Sequence, residues 1–202
     1  MPKIVDHEKQ KEKIAEAVWN VIHRDGLEHC TVRNIAKEAG LSAGSMRHYF
    51  PQQSELFIYS MRLVANRVKT RIESMTFNGA PAENVKQLLF QLMPLDEERK
   101  LEMEAWYAFT AKSLSDPELK PLRKEMNEGI YSACKSAVEM LVNTGTKPGI
   151  DVLKETEHLY ALVDGLALHL IMDPERLTAE RIDSVLAGYL RSVSYTHLTL
   201  PT

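Results

Sequence analysis

The sequence predicts an all-α protein of about nine helices, three short ones near the N-terminus followed by a longer helical bundle. Three observations lead there. Apolar residues recur at spacings of three and four almost throughout, as helices with one buried face require. Strict alternation, the mark of a half-buried strand, has its one candidate in the last nine residues. Breakers such as Asp25-Gly26, Asn78-Gly79 and Asp173-Pro174 separate the periodic stretches.

The first helix carries Ile14, Ala15, Val18, Val21 and Ile22 on one side and stops at Asp25-Gly26. Thr31 can cap a short second helix with Val32, Ile35, Ala36 and Ala39 inward, and Gly40 ends it. Ser42 can cap a third through Tyr49, closed by Pro51. A long fourth helix opens at Gln52-Gln53-Ser54-Glu55 and runs to about Met75. After Asn78-Gly79-Ala80-Pro81, helices are expected near Glu83–Met93, from Asp96 to about Leu114, and from Asp116-Pro117 to near Asn143. Beyond the Lys147-Pro148-Gly149 loop, Asp151 caps a helix reaching Met172, and Thr178 caps the last, ending near Ser192. Ser194–Thr202 has no helical stripe; it reads as a non-native addition, or as a frayed end, and is set outside the fold.

Composition narrows the class. The 202 residues are 44% hydrophobic and 26% charged, with 9 Gly, 9 Pro and 2 Cys, which excludes disordered, collagen-like and disulfide-framework chains. The net charge of −3 offers no global basic field. Two distant thiols, Cys30 and Cys134, suit a reducing compartment. The first residues carry charge where a signal peptide needs an apolar region, and no apolar run nears the ~18 residues of a membrane span. A cytoplasmic protein with no membrane partner is expected. The 7 His are scattered, and no His-Glu-x-x-His, Cys-x-x-Cys or Gly-rich phosphate loop occurs. No catalytic residue, metal or cofactor is therefore assigned, and an enzyme is not expected.

Thr31–Phe50 reads TVRNIAKEAGLSAGSMRHYF: helix, tight turn at Gly40-Leu41-Ser42, helix. Leu41, Met46 and Phe50 can pack inward, leaving Ala43, Gly44, Ser45, Arg47 and His48 outward on a face that is small and polar near its start. A helix presented this way fits the DNA major groove. The stretch holds Arg33, Lys37 and Arg47 against Glu38, so the positive charge is local.

Residues from about Ile14 to Leu56 resemble the N-terminal domain of TetR/AcrR transcriptional regulators. The resemblance rests on Gly26, Thr31, Ile35-Ala36, Ala39-Gly40-Leu41-Ser42, Gly44, His48-Tyr49-Phe50 and Glu55-Leu56. A weaker likeness to choline-repressor-type C-terminal domains surrounds Trp106-Tyr107-Ala108-Phe109 and Asp164-Gly165-Leu166-Ala167. The resemblance implies a DNA-binding domain at 1–52, with an effector-binding and dimerisation domain at 53–193. It implies DNA contacts from Thr31, Arg33, Ser42, Ala43, Gly44, Ser45, Arg47, His48, Tyr49 and Gln53. Arg47 would read a guanine, and His48 and Tyr49 would position the backbone. Two positions depart from the family pattern: Gln53 stands where a Lys is common, and Arg47 where an aromatic is common.

The Asp151–Met172 helix carries two apolar stripes, where a surface helix needs one. With the strongly apolar last helix, this predicts a two-fold interface with a second copy, through Leu159, Val163, Leu166, Leu170, Ile182, Val185, Leu186 and Tyr189. Such a homodimer would demand a near-palindromic operator. Phe90, Met93, Trp106, Phe109, Met126, Ile130 and Tyr131 are candidate walls for an unknown small-molecule effector, and nearby carboxylates would suit a cation. The implied mechanism is release of a repressor from double-stranded operator DNA, effector and DNA weakening each other's binding by the same factor. The alternative is a helical dimer that binds a small molecule or a protein without binding DNA.

Overall fold

The computed structural model describes residues 6–143 and 150–193. Nine α-helices, and no strand, are found among the described residues. They are α1 (His7–Asp25), α2 (Val32–Glu38), α3 (Ala43–Tyr49), α4 (Gln53–Glu73), α5 (Pro81–Phe90), α6 (Glu97–Ser115), α7 (Lys120–Val142), α8 (Val152–Met172) and α9 (Ala179–Val193). The Lys147-Pro148-Gly149 loop and the Ser194–Thr202 tail lie outside the described residues.

Local chemistry sets the ends of these helices. Thr31, Ser42, Asp96, Asp151 and Thr178 each accept a backbone N–H of the following first turn, satisfying donors that a helix start leaves open. Asp6 does the same for α1, from Lys9 N at 3.3 Å. Pro81 sits in the first turn of α5, where a missing N–H costs nothing. Asn84 then holds the preceding loop by a two-way bond to Gly79, 3.0 Å from its N–H and 2.9 Å to its carbonyl. A single 3₁₀ turn, Pro117–Leu119, precedes α7 and is capped by Asp116.

The chain divides into two compact units. The first comprises Met1–Lys69 and Asp96–Met126, so α1–α3, the front of α4, α6 and the start of α7 belong together. This unit extends past residue 52 because α1 packs on α6 as well as on α2. Its buried side chains include Ile14, Val18, Ile35, Met46, Leu56, Met61 and Phe109, with Phe57 and Phe109 tilted at 5.1 Å between ring centres.

The second unit comprises Thr70–Leu95 and Asn127–Thr202. Here α5 packs on α9, and Lys86 bridges Glu83 at 3.1 Å and Asp183 at 3.0 Å. Val85, Leu89, Val138, Leu159, Val163, Ile182 and Leu186 are buried within it. Leu159, Val163, Ile182 and Leu186, among the residues expected at a two-fold interface, are buried inside a single chain. Leu166 is nearly as buried, and the Tyr189 hydroxyl donates to the Glu155 carbonyl at 3.0 Å, tying α9 to α8. Val185 remains 42% exposed, and Leu153 and Met172 more so, at 65% and 71%.

Candidate nucleic-acid interface

The turn between α2 and α3 is built from the backbone outward. Leu41 N–H bonds the Ala36 carbonyl at 2.8 Å and Gly40 N–H bonds the Lys37 carbonyl at 3.1 Å. That pair of bonds closes a helix through a left-handed residue, here Gly40 at φ +69°, where a side chain would be strained. Gly26 plays the corresponding part after α1, at φ +88°.

Downstream of this turn, Ser42 Oγ accepts from Ser45 N at 3.0 Å and lies 2.9 Å from Ser45 Oγ. Met46 is buried and Phe50 follows it inward, its ring 5.3 Å from that of Tyr59 on α4. These two anchors leave Ser42, Ala43, Gly44, Ser45, Arg47 and His48 exposed on one side, with Tyr49 half-buried. Arg47 makes no ion pair or hydrogen bond among the described residues, so its guanidinium is available. A Cβ on Gly44 would meet only Ser42 Oγ, at 3.8 Å, so the fold itself does not need a glycine there.

Thr31 and Arg33 are also exposed, at the start of α2. Thr31 Oγ1 accepts from Asn34 N at 3.2 Å, and the Asn34 side chain donates to the His29 carbonyl at 3.0 Å. Gln53, which the resemblance places among the DNA contacts in a position where a Lys is common, donates its side-chain amide to the Cys30 carbonyl. It thereby ties the first turn of α4 to the residue just ahead of the Thr31 cap.

Two residues of α1 join this surface without a signal in the motif. His7 lies against Tyr49 with the rings tilted, 4.6 Å between ring centres, and His48 is edge-on to it at 6.0 Å. Lys13 brings its Nζ within 4.0 Å of the position a Gly40 Cβ would take. Neither could be found from spacing, because the crossing of α1 over α3 is a property of the packed domain.

The candidate effector walls fall in both units. Trp106, Phe109 and Met126 are buried in the first. Phe90, Met93, Ile130 and Tyr131 belong to the second; Met93 is buried, and Tyr131 meets Tyr160 edge-on at 5.8 Å. No group of three or more His, Cys, Asp or Glu able to hold a metal occurs among the described residues. None of their helices is long and apolar enough to cross a membrane.

Comparison with known proteins gives the same frame. Residues 14–59 match the family described as bacterial regulatory proteins, tetR family. Residues 81–194 match the C-terminal domain of BetI-type transcriptional repressors. The chain is 43% identical over 195 residues to the HTH-type transcriptional regulator PksA of Bacillus subtilis (strain 168), covering 96% of this chain and 94% of that protein. It is 26% identical to the HTH-type transcriptional regulator BetI of Vibrio campbellii, covering 94% of each. Among solved structures, a transcriptional regulator from Rhodococcus sp. Rha1 superposes with a TM-score of 0.77 at 27% identity, covering 91% of this chain and 95% of that one. A regulator from Saccharomonospora viridis, solved in complex with choline, superposes at 0.79 with 17% identity, covering 94% of this chain and 100% of that one, a likeness of fold alone. The chain is a member of the TetR family of bacterial transcriptional regulators, with a C-terminal domain of the BetI type.

Proposed function

We propose that this protein is a repressor that binds a near-palindromic operator as a homodimer and leaves it when a small molecule occupies its C-terminal region. In this reading it acts by binding and catalyses no reaction. One observation carries the DNA contact: α3 is fixed by Met46 and Phe50 and presents an uncommitted Arg47 beside the bare Gly44 and the short Ser45. A guanidinium held this way can donate two bonds to the O6 and N7 of a guanine, worth about 1–3 kcal/mol of discrimination. Thr31, Arg33, Ser42 and Ala43 would line the approach, with His48 and Tyr49 against the sugar-phosphate backbone. Gln53 would act by holding the start of α4 against the Cys30–Thr31 corner.

Selection of bound duplexes from a random DNA pool tests this directly. The expected product is a palindromic motif with two half-sites about one helical turn apart, ~34 Å or somewhat more. Arg47→Ala should then weaken binding about tenfold or more per half-site and relax the preference at one base pair. Survival of wild-type affinity and preference in that variant removes the Arg47 assignment.

For the effector, Trp106 and Phe109 on α6 are aromatic candidate walls that would suit a cation, and the Saccharomonospora viridis regulator was solved with choline. Raised melting temperature with choline, and none with an anion of similar size, is the expected result.

A further inference from the structure

We propose that Lys13 of α1 and Lys37 of α2 extend the DNA-contacting surface and hold backbone phosphates of the operator where α2 turns into α3. The inference rests on the DNA-binding reading above and deepens it with two residues that the reading does not use.

The observation is which cations the fold leaves unengaged. Residues 6–50 carry Lys9, Lys11, Lys13, Arg24, Arg33, Lys37 and Arg47. Lys9 pairs with Asp6 at 3.6 Å and Lys11 with Glu8 at 3.1 Å. Arg24 pairs with Asp25 at 2.9 Å and with Glu38 at 2.8 Å. Lys13, Arg33, Lys37 and Arg47 are exposed and make no ion pair or hydrogen bond among the described residues. Arg33 and Arg47 already belong to the proposed interface.

Placement joins the other two to them. Arg33 and Lys37 are one helical turn apart, so they share a flank of α2, while Asn34 and Glu38 lie on the other. Lys37 also closes the helix, its carbonyl accepting from Gly40 N at 3.1 Å. Lys13 arrives from α1 at that same glycine, its Nζ 4.0 Å from the position of a Gly40 Cβ. Ser42, where the exposed side of α3 begins, follows two residues later. The free cations thus run along α2, past the turn and onto α3.

The acids of this domain are engaged or turned elsewhere. Glu38, the one acid of α2 and α3, is held by Arg24, and Glu16 is held by Arg67. Glu12 is half-buried; burial raises the Tyr59 phenol pKa, and Glu8 and Glu12 add to it, which places both on the α4 side of α1. Like charges left without acids complement a polyanion that approaches α3. An ammonium acts on phosphate as a point charge and carries no base preference. Lys13 and Lys37 therefore add affinity and salt dependence, while Arg47 adds selectivity.

The test uses the intact protein and the palindromic duplex recovered from random-pool selection. Affinity is read by fluorescence anisotropy across a salt series. Lys13→Gln and Lys37→Gln should each flatten the slope of log affinity against log salt by about 2, roughly one phosphate per half-site. Each should weaken binding by about tenfold or more at about 0.1 M salt. The ratio of affinities for the selected duplex and a half-site variant should stay at the wild-type value. Lys11→Gln is the control: it removes the same charge from α1, but on the side where Lys11 pairs with Glu8 and lies 5.9 Å from the Tyr59 ring centre. Its slope is expected to match wild type. Circular dichroism melting of each variant confirms that the helices still fold. A wild-type slope in Lys13→Gln or Lys37→Gln overturns the assignment of that lysine. An equal loss of slope in Lys11→Gln makes the effect one of net charge and overturns both. If wild type enriches no duplex from the pool, the DNA-binding reading fails and takes this inference with it.

Discussion

Gly44 and the two cysteines show opposite demands on a single position. A glycine in a helix costs stability through backbone freedom, by up to about 1 kcal/mol against better helix formers. Nothing inside the chain compensates at Gly44, where a Cβ would find open space beyond Ser42 Oγ. In the proposed DNA-binding reading its value lies outside, in letting a groove wall come close. Gly44→Gln is therefore expected to leave the melting temperature equal to or slightly above wild type. The same change should weaken operator binding by at least about tenfold, the order of one lost base contact. A matched fall in both properties would contradict this division. Cys30 and Cys134 are the reverse case, residues whose chemistry is suppressed by the core. Burial pushes the Cys134 thiol up to about 12 and the Cys30 thiol up to about 11, with Asp25 and Glu28 adding to the second. A raised thiol pKa means less of the reactive thiolate at every working pH. Both cysteines should resist a chromogenic disulfide reagent at about pH 8 in the native protein and react fully in denaturant. Rapid reaction without denaturant would show that these sites open readily.

Among the helices, one side chain of α4 reaches both α1 and α6. Arg67 lies over the Trp19 ring, its Cζ 4.9 Å from the ring centre, and pairs with Glu16 on α1 and, at 3.5 Å, with Glu98 on α6. Surface ion pairs alone contribute little. Here the indole is buried, so the stacked cation sits against a desolvated face and gains more. Arg67→Lys keeps the charge but loses the planar stack and the two-sided fork. It is expected to lower stability by about 1 kcal/mol in urea titration, with Arg67→Ala slightly worse. Full retention of stability in the lysine variant would reduce the contact to simple charge. The Arg67 arrangement also marks how far the sequence could be read. Helix ends were legible because their causes are local: Thr31, Ser42, Asp151 and Thr178 cap turns a few residues away, and Gly26 and Gly40 stop helices through their own φ. The exposed face of α3 was legible for the same reason, since a 3.6-residue period sets Met46 across from Gly44 and about a quarter turn from Arg47. What could not be read depends on which helix lies alongside. The contact of His7 with Tyr49, the bond of Gln53 to Cys30 and the choice between the two apolar stripes of α8 are all of this kind.

Assembly of the whole protein turns on that last choice. Both stripes of α8 look equivalent in the sequence, but α9 and the Tyr189–Glu155 bond fix its rotation within its own unit. Leu159 and Val163 face inward, while Leu153 keeps 65% of its surface and Val185 on α9 keeps 42%. A second copy would gain by covering the latter pair and can gain nothing from the former. Two substitutions of the same chemistry should therefore fail differently. Val185→Glu is expected to give a folded monomer, with helical circular dichroism unchanged and half the dimer mass in sedimentation. Its operator affinity should fall by about a hundredfold or more, because binding the second half-site is no longer an intramolecular event. Leu159→Glu places a charge in a closed core and should unfold the C-terminal helices, a loss of several kcal/mol. If Val185→Glu stays dimeric at low micromolar concentration and binds as wild type does, the exposed edge of α9 is not where two copies meet. If Leu159→Glu instead yields a folded monomer, α8 is turned the other way in solution, with Leu159 at the interface after all.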